Sequence, residues 1–183
     1  MKITNHRLRR IAATFLALTL PLTCLRAQTT TPPADVTITG VRTDNDFGWR
    51  VALAGDVNGD GFTDLVVGDP SNSSVAQFAG RAYLFLGPLT TSIDTSKAVA
   101  TISAEAFGDN LGFSVASAGD VNGDGFDDIL VGARSNDTNG TQSGRVYLFY
   151  GPVSGALTAA NADARVGQKR KRAASLEERI KHL

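Results

Sequence analysis

Cysteine is almost missing from this chain. Cys24 is the only one in 183 residues, so no intrachain disulfide can hold the fold together. Histidine is nearly as scarce, with only His6 and His182. The long stretch from residue 28 to the tail therefore has neither an imidazole base nor a thiol nucleophile. Its clustered carboxylates all fall in one repeated loop, described below, which leaves no free pair for acid–base chemistry. An enzyme is not expected. The apolar run Ile11 to Leu22 is too short to cross a bilayer comfortably, and no stable membrane span is expected in the mature chain. Helical periodicity is lacking over residues 36–167. Basic residues are few there too. Residues 28–168 carry seven Lys or Arg against sixteen Asp or Glu, a net charge of about −9. Nucleic acid requires a basic face and is excluded as a partner, whereas a cation is favoured.

The positive charge sits at the two ends. Residues 1–27 hold Lys2, Arg7, Arg9, Arg10 and Arg26 with no acid, ahead of and after the apolar run. This is the pattern of a secretory signal peptide, with Ala27 as a small residue at the cleavage point before Gln28. Cys24 offers an alternative, a lipidated N-terminus, in the poor acylation context Pro21-Leu22-Thr23. Residues 28–35 (QTTTPPAD) form a Pro/Thr linker. Residues 168–183 form a basic tail. In it Ser175-Leu176-Glu177-Glu178 resembles a capping box and Leu176, Ile180 and Leu183 share a face, so a short C-terminal helix is expected.

Between the ends the chain repeats itself. GDVNGDGF occurs at Gly55–Phe62 and again at Gly119–Phe126, an offset of 64 residues. The same offset aligns GRAYLFLGP (80–88) with GRVYLFYGP (144–152), and LVVG (65–68) with ILVG (129–132). It also aligns Val36-Thr37-Ile38 with Ala100-Thr101-Ile102 and with Ala164-Arg165-Val166. Each repeat holds short runs rich in Val, Leu, Tyr and Phe, separated by Gly, Pro, Asn, Asp or Ser. In the first copy these runs are Gly48–Leu53, Leu65–Val67, Ala82–Leu86 and Ala98–Ile102. Four short strands per repeat predict an all-β chain built from propeller blades. The first blade covers 36–103 and the second 104–167.

The repeated loop, extended by two residues, reads D-x-N-x-D-G-x-x-D. Asp56, Asn58, Asp60 and Asp64 fall at positions 1, 3, 5 and 9, and Phe62 at position 7 offers its backbone carbonyl. Asp120, Asn122, Asp124, Phe126 and Asp128 repeat the set. Oxygen ligands on alternate residues can converge on one hard cation, and Gly61 permits the backbone to fold back. Calcium is the expected ion, at two sites. A bare turn needs only Asn-Gly or Asp-Gly and does not account for acids at positions 1 and 9. An EF-hand requires a glutamate at position 12, where this chain has Val67 and Val131.

Phe47-Gly48, Ala54-Gly55-Asp56, the acidic loop and LVVG together resemble the FG-GAP repeat of integrin α subunits, a repeat also found in bacterial secreted proteins. The resemblance covers about 36–167. It implies blades around a central axis, calcium in the loop between a blade's first two strands, and extracellular recognition or adhesion. Leu111 stands where the second copy would have its phenylalanine. A closed propeller has about four or more blades, and two repeats make an incomplete β-propeller of two four-stranded blades. Each blade is then expected to leave one face open, exposing the LVVG and ILVG strands and favouring self-association. Val36–Ile38 matches the last strand of a repeat whose blade is missing, and is expected to pair irregularly or not at all.

Trp49 and Phe113, at equivalent positions, read as packing between blades, and Tyr83 and Tyr147 as core. Arg81 and Arg145 read as partners of nearby acids. Asn72 and Asn139 match the glycosylation pattern. The polar segments 69–79 and 133–143 differ between copies and are the candidates for contact with a partner, an extracellular protein or carbohydrate. The expected function is a secreted or cell-surface calcium-binding recognition module. The alternative is a structural fragment of a longer propeller.

Overall fold

The structure is a computed structural model that describes residues 35–43 and 45–167. The expected signal peptide and C-terminal helix lie outside the described residues. Among the described residues eleven strands follow one another in chain order. They are β1 (Ile38–Thr39), β2 (Arg50–Gly55), β3 (Asp64–Asp69), β4 (Arg81–Phe85), β5 (Ile93–Asp94) and β6 (Ala100–Ser103), then β7 (Leu111–Gly119), β8 (Asp128–Ala133), β9 (Arg145–Phe149), β10 (Gly155–Thr158) and β11 (Ala164–Gly167). A single 3-10 turn follows β5 at Thr95–Lys97 and another follows β10 at Ala159–Asn161.

Each repeat builds one four-stranded antiparallel blade. The first runs β2-β3-β4-β6 and the second β7-β8-β9-β11. The central strands β3 and β8 are each flanked by strands along both edges and read as near-continuous apolar runs. β2 alternates instead, with Ala54 buried and Val51 and Leu53 exposed. The main core lies between the blades. Ala54, Val66, Ala82, Leu84 and Ile102 from the first blade meet Leu111, Ile129, Val131, Tyr147 and Phe149 from the second. A smaller cluster covers the other side of the first blade, where Val67, Tyr83 and Phe85 pack with Ile38, Phe47 and Ile93. The blades touch at backbone level where Gly68 faces Gly112. A Cβ on Gly68 would overlap the Gly112 carbonyl oxygen, so this approach requires glycine.

Two strands cross the repeat boundaries. β10 belongs by sequence to the second repeat but pairs in parallel with β6, adding a fifth strand to the first blade's sheet. β5 pairs in parallel with β1 in the corresponding register: Ile38 opposes Ile93 and Thr39 opposes Asp94, as Ile102 opposes Leu157 and Ser103 opposes Thr158. Neither β5 nor β10 is among the strands expected from sequence. The expectation that Val36–Ile38 pairs irregularly is corrected, because β1 is regularly stitched to β5, with Ile93 N–H donating to the Thr37 carbonyl at 2.9 Å. The expected exposure of the LVVG and ILVG strands is corrected as well. Val66, Val67, Ile129 and Val131 are buried. β3 is screened on its far side by Phe47 and the β1–β5 pair, and β8 is covered on one side by the first blade. On the strands of the blades the exposed large apolar residues are Val51 and Leu53 on the edge strand β2, Val146 on the inner strand β9 and Val166 on the edge strand β11.

Candidate metal loops

The loop between β2 and β3 and the loop between β7 and β8 are built alike, bond for bond. Asp56 accepts the N–H groups of Gly59 at 2.8 Å and Asp60 at 3.0 Å on one oxygen, and that of Gly61 at 2.8 Å on the other. Asp120 does the same for Gly123, Asp124 and Gly125. A short acidic side chain at position 1 thus gathers the amides of positions 4 to 6 and bends the chain around itself. Gly61 and Gly125 follow at φ 87° and 93°, a conformation open to glycine. The Asn58 side-chain amide donates to Asp60 at 2.8 Å, and Asn122 to Asp124 at 2.8 Å. Position 5 in turn accepts the N–H of Phe62 or Phe126.

Position 9 closes the loop from below. Asp64 is fully buried. It accepts the Val57 N–H at 3.0 Å and the Gly87 N–H at 2.9 Å. Asp128, also fully buried, ties Val121 and Gly151 in the same way, at 2.9 Å each. Desolvation pushes the Asp64 carboxyl above its usual range; its two backbone N–H partners oppose this, and the nearby Asp60 and Asp56 charges add to it. The Asp120 carboxyl is held below that range, chiefly by the Gly125 N–H.

These observations test the fit of a cation. All the donors are oxygens, the loop path brings positions 1, 3 and 5 together, and the Asp64 carboxyl is raised first by burial, with a smaller contribution from the Asp60 and Asp56 charges. Hard-oxygen chemistry and crowded negative charge suit calcium. Among the described residues, no three His, Cys, Asp or Glu side chains are already gathered as a metal centre. The carboxylates instead hold the loop's own N–H groups.

The two loops also hold each other. Asp127 accepts the Asp56 N–H at 2.7 Å on its Oδ2, and its own N–H donates to the Asp56 carbonyl at 3.0 Å. The Phe126 ring lies over Gly59. Sequence reasoning missed Asp127. The one available signal was that the equivalent residue in the first repeat is Thr63 rather than Asp.

Other expectations resolve as follows. Trp49 packs on Phe113 across the blade boundary, ring centroids 5.7 Å apart, and Arg134 sits 4.6 Å over the Phe113 ring. Tyr83 and Tyr147 are buried. Arg81 donates through Nε to Ser103 Oγ at 2.9 Å, and its charge opposes the rise of the nearby Asp69 carboxyl. Asn72 is 2% exposed and donates to Asp69 at 2.9 Å and Tyr83 at 3.2 Å. It cannot carry a glycan in the folded chain. Its counterpart Asn136 is buried and donates to Tyr147 at 3.4 Å. There the acid comes from Asp109, which bonds Asn136 and whose carboxyl is raised, first by burial. The first half of segment 69–79 is therefore anchored, and its tip residue Val75 is exposed.

The comparisons agree with this geometry. The FG-GAP repeat matches residues 47–85 and 111–149. The chain is 32% identical over 117 residues to phosphatidylinositol-glycan-specific phospholipase D of Dictyostelium discoideum, covering 61% of this chain and 12% of that protein. It is 37% identical over 114 residues to integrin alpha-3 of Cricetulus griseus, covering 61% and 10%. It is 31% identical over 125 residues to integrin alpha-7 of Rattus norvegicus, covering 68% and 10%. The chain thus spans only a small part, 10–12%, of these relatives' length. The chain thus carries two FG-GAP repeats, at residues 47–85 and 111–149, each coinciding with β-strands of one blade.

Proposed function

We propose that this chain is an extracellular recognition or adhesion module whose two blades are braced by calcium in the Asp56–Asp64 and Asp120–Asp128 loops. The observation that carries this reading is the bond-for-bond identity of the two loops, each placing oxygen donors at positions 1, 3, 5 and 9. Calcium bound there would supply a divalent charge that neutralises the crowded carboxylates. Asp56 and Asp120 shape the loop backbone. Asn58, Asp60, Asn122 and Asp124 present oxygens from its rim, with the carbonyls of Phe62 and Phe126. Asp64 and Asp128 anchor the loop to its blade. The described residues contain neither histidine nor cysteine, which favours binding over catalysis. A hydrolase assay on the purified chain, repeated on Asp-to-Ala loop variants, tests that choice.

The calcium test is thermal. Extracellular sites bind with Kd of about 10⁻⁴–10⁻³ M. At Kd ~0.1 mM and ~1 mM free ion, linkage supplies about 1.4 kcal/mol per site. Two such sites raise Tm by roughly 10 °C in a domain of this size. Asp60→Ala and Asp124→Ala should each remove about half of that rise. A Tm indifferent to chelator would end the calcium reading.

A second reading has its own support, since β1 occupies the place of the outer strand of a preceding blade. On that reading the chain is a structural segment of a larger propeller. Binding to a panel of extracellular matrix proteins and glycans in calcium favours the module; no binding favours the segment.

A further inference from the structure

The interface between the two blades is a template for the faces they leave open. The first blade turns Ala52, Val66, Ala82, Leu84 and Ile102 toward the second. At the 64-residue offset the second blade turns Ala116, Leu130, Val146, Leu148 and Val166 away from the first. Val146 and Val166 are 39% and 73% exposed. The second blade presents Val115, Ile129, Val131, Tyr147 and Phe149 to the first. Their counterparts Val51, Leu65, Val67, Tyr83 and Phe85 form the opposite side of the first blade, where Val51 is 57% exposed and Val67, Tyr83 and Phe85 are covered by Ile38, Phe47 and Ile93 of the same chain. The outward sides of the two blades therefore carry the same chemistry as the two sides of an interface that already exists in the molecule.

The backbone contact is prepared as well. In the existing interface Leu111-Gly112 seats against Gly80 and Gly68. Leu111 bridges Gly80, its N–H donates to the Ala79 carbonyl at 2.9 Å, and the Gly112 carbonyl crowds Gly68. The counterpart of that insert is Phe47-Gly48, and a Cβ on Gly48 would meet nothing within 4 Å. The counterpart of the receiving site is an open cavity of about 380 Å³ lined by residues including Gly132, Ser143, Gly144, Val146 and Val166. Insert and receiving site are both present in each molecule, and among the described residues no other blade fills either; Ser114 of the same blade lies against Gly132.

We propose that a second copy of this chain docks head-to-tail, with Phe47-Gly48 and Val51 of one copy against Gly132, Val146 and Val166 of the other. Ile38, Ile102 and Val166 stand at successive repeat positions, so β1 holds the slot that β11 of the arriving copy takes. β1 is held to β5 at only two positions; β11 of the arriving copy displaces it and lies beside β5 as β6 lies beside β10. Thr63 stands where Asp127 stands in the existing interface, so one interblade bond is lost and the association is reversible. The contact is heterologous, and heterologous contacts build rings when the rotation closes. Two to four copies reach roughly the four to eight blades of known propellers.

The test is complementation in the full chain, by sedimentation equilibrium in calcium. Val51→Arg disables one face and Val166→Arg the other, both at exposed positions. Wild type should associate as concentration rises, and each variant alone should stay at single-chain mass. An equimolar mixture retains one intact pair of faces and should reach twice that mass and no more. A wild type that never associates, a mixture that stays monomeric, or variants that still associate each overturn the proposal. Hydrogen exchange on wild type gives an independent reading should a variant lose its β-sheet signal. Amides of β5 and β11 should gain protection with concentration, and unchanged protection overturns the proposal.

Discussion

Asp127 gives the sharpest test of how the two blades hold together. Its carboxylate accepts the Asp56 N–H at 2.7 Å from the neighbouring blade. Replacing it with alanine leaves that amide unpaired where the blades meet and removes a hydrogen bond to a charged group. Such bonds contribute about 1.5–3 kcal/mol, and the site is part-buried, so about 1–2 kcal/mol is expected. In a domain of this size that lowers Tm by roughly 3–8 °C. The repeat supplies its own control. Thr63 occupies the same position one repeat earlier, is exposed, and has no blade beyond it in the described structure. Thr63→Ala should change stability by less than about 0.5 kcal/mol. The assay is urea denaturation of both variants and wild type in chelator, which removes any metal contribution, at a dilution where the chain is monomeric. Equal losses for the two variants would refute the argument, because they would place the cost in the loop's own propensity and not in the contact between blades.

Two further outcomes follow from the packing. Burial raises the Asp69 carboxyl above the usual 3.8, opposed by its bonds to Asn72 and the Asp46 N–H; the Asp46 charge adds to the rise and Arg81 opposes it. Burial raises Asp109 likewise, with Asp137 and Glu105 adding to the rise and bonds from Asn136 and the Ala106 backbone opposing it. A raised native value means that the folded chain binds protons the unfolded chain does not, between that value and 3.8. The metal-free chain should therefore gain stability as pH falls from neutral toward 3.8 and lose it again on return. Urea midpoints in chelator check this, and Asp69→Asn should flatten the profile. Separately, Gly68→Ala would force a Cβ into the Gly112 backbone and should cost about 2–3 kcal/mol. Gly132→Ala meets only the Ser114 hydroxyl, which can rotate away, and should cost less than about 1 kcal/mol. Denaturation curves of the two variants show whether the order holds.

The main strands of each blade were legible because they carry both signals a strand gives, β-rich composition and flanking turn residues. The run Leu65–Val67 lies within β3 and Ala82–Leu86 overlaps β4. The repeated acids fixed where the loops would lie. What escaped was of two kinds. β5 and β10 are too short and too polar to show a period, since Ile93–Asp94 has two residues and Gly155–Thr158 four, and their partners lie in another blade. The acid beside the buried Asn–Tyr pair escaped because it breaks the repeat. Asp69 supplies it in the first blade, where the second has Ala133. Asp109 supplies it in the second, where the first has Asn45. Alignment at a fixed offset hides an exchange of that kind. The apolar edge was misplaced for a related reason, because the screen over β3 comes from β1 and β5, distant in sequence.

The parallel stitch between β6 and β10 has a consequence for how the molecule is made. The first blade's sheet is not finished when its own fourth strand has been synthesised. Its outer edge waits, with the backbone groups of Ala100–Ser103 unpaired on one side, until Gly155–Thr158 has emerged from the ribosome. Closing that edge joins segments far apart in the chain, which is slow compared with local hairpin formation. During translation, then, the nascent chain carries an open strand edge, the kind of surface that recruits stray strands. The last part of the second repeat ends that exposure, so a ribosome stalled between the two repeats would display a blade with one sticky side.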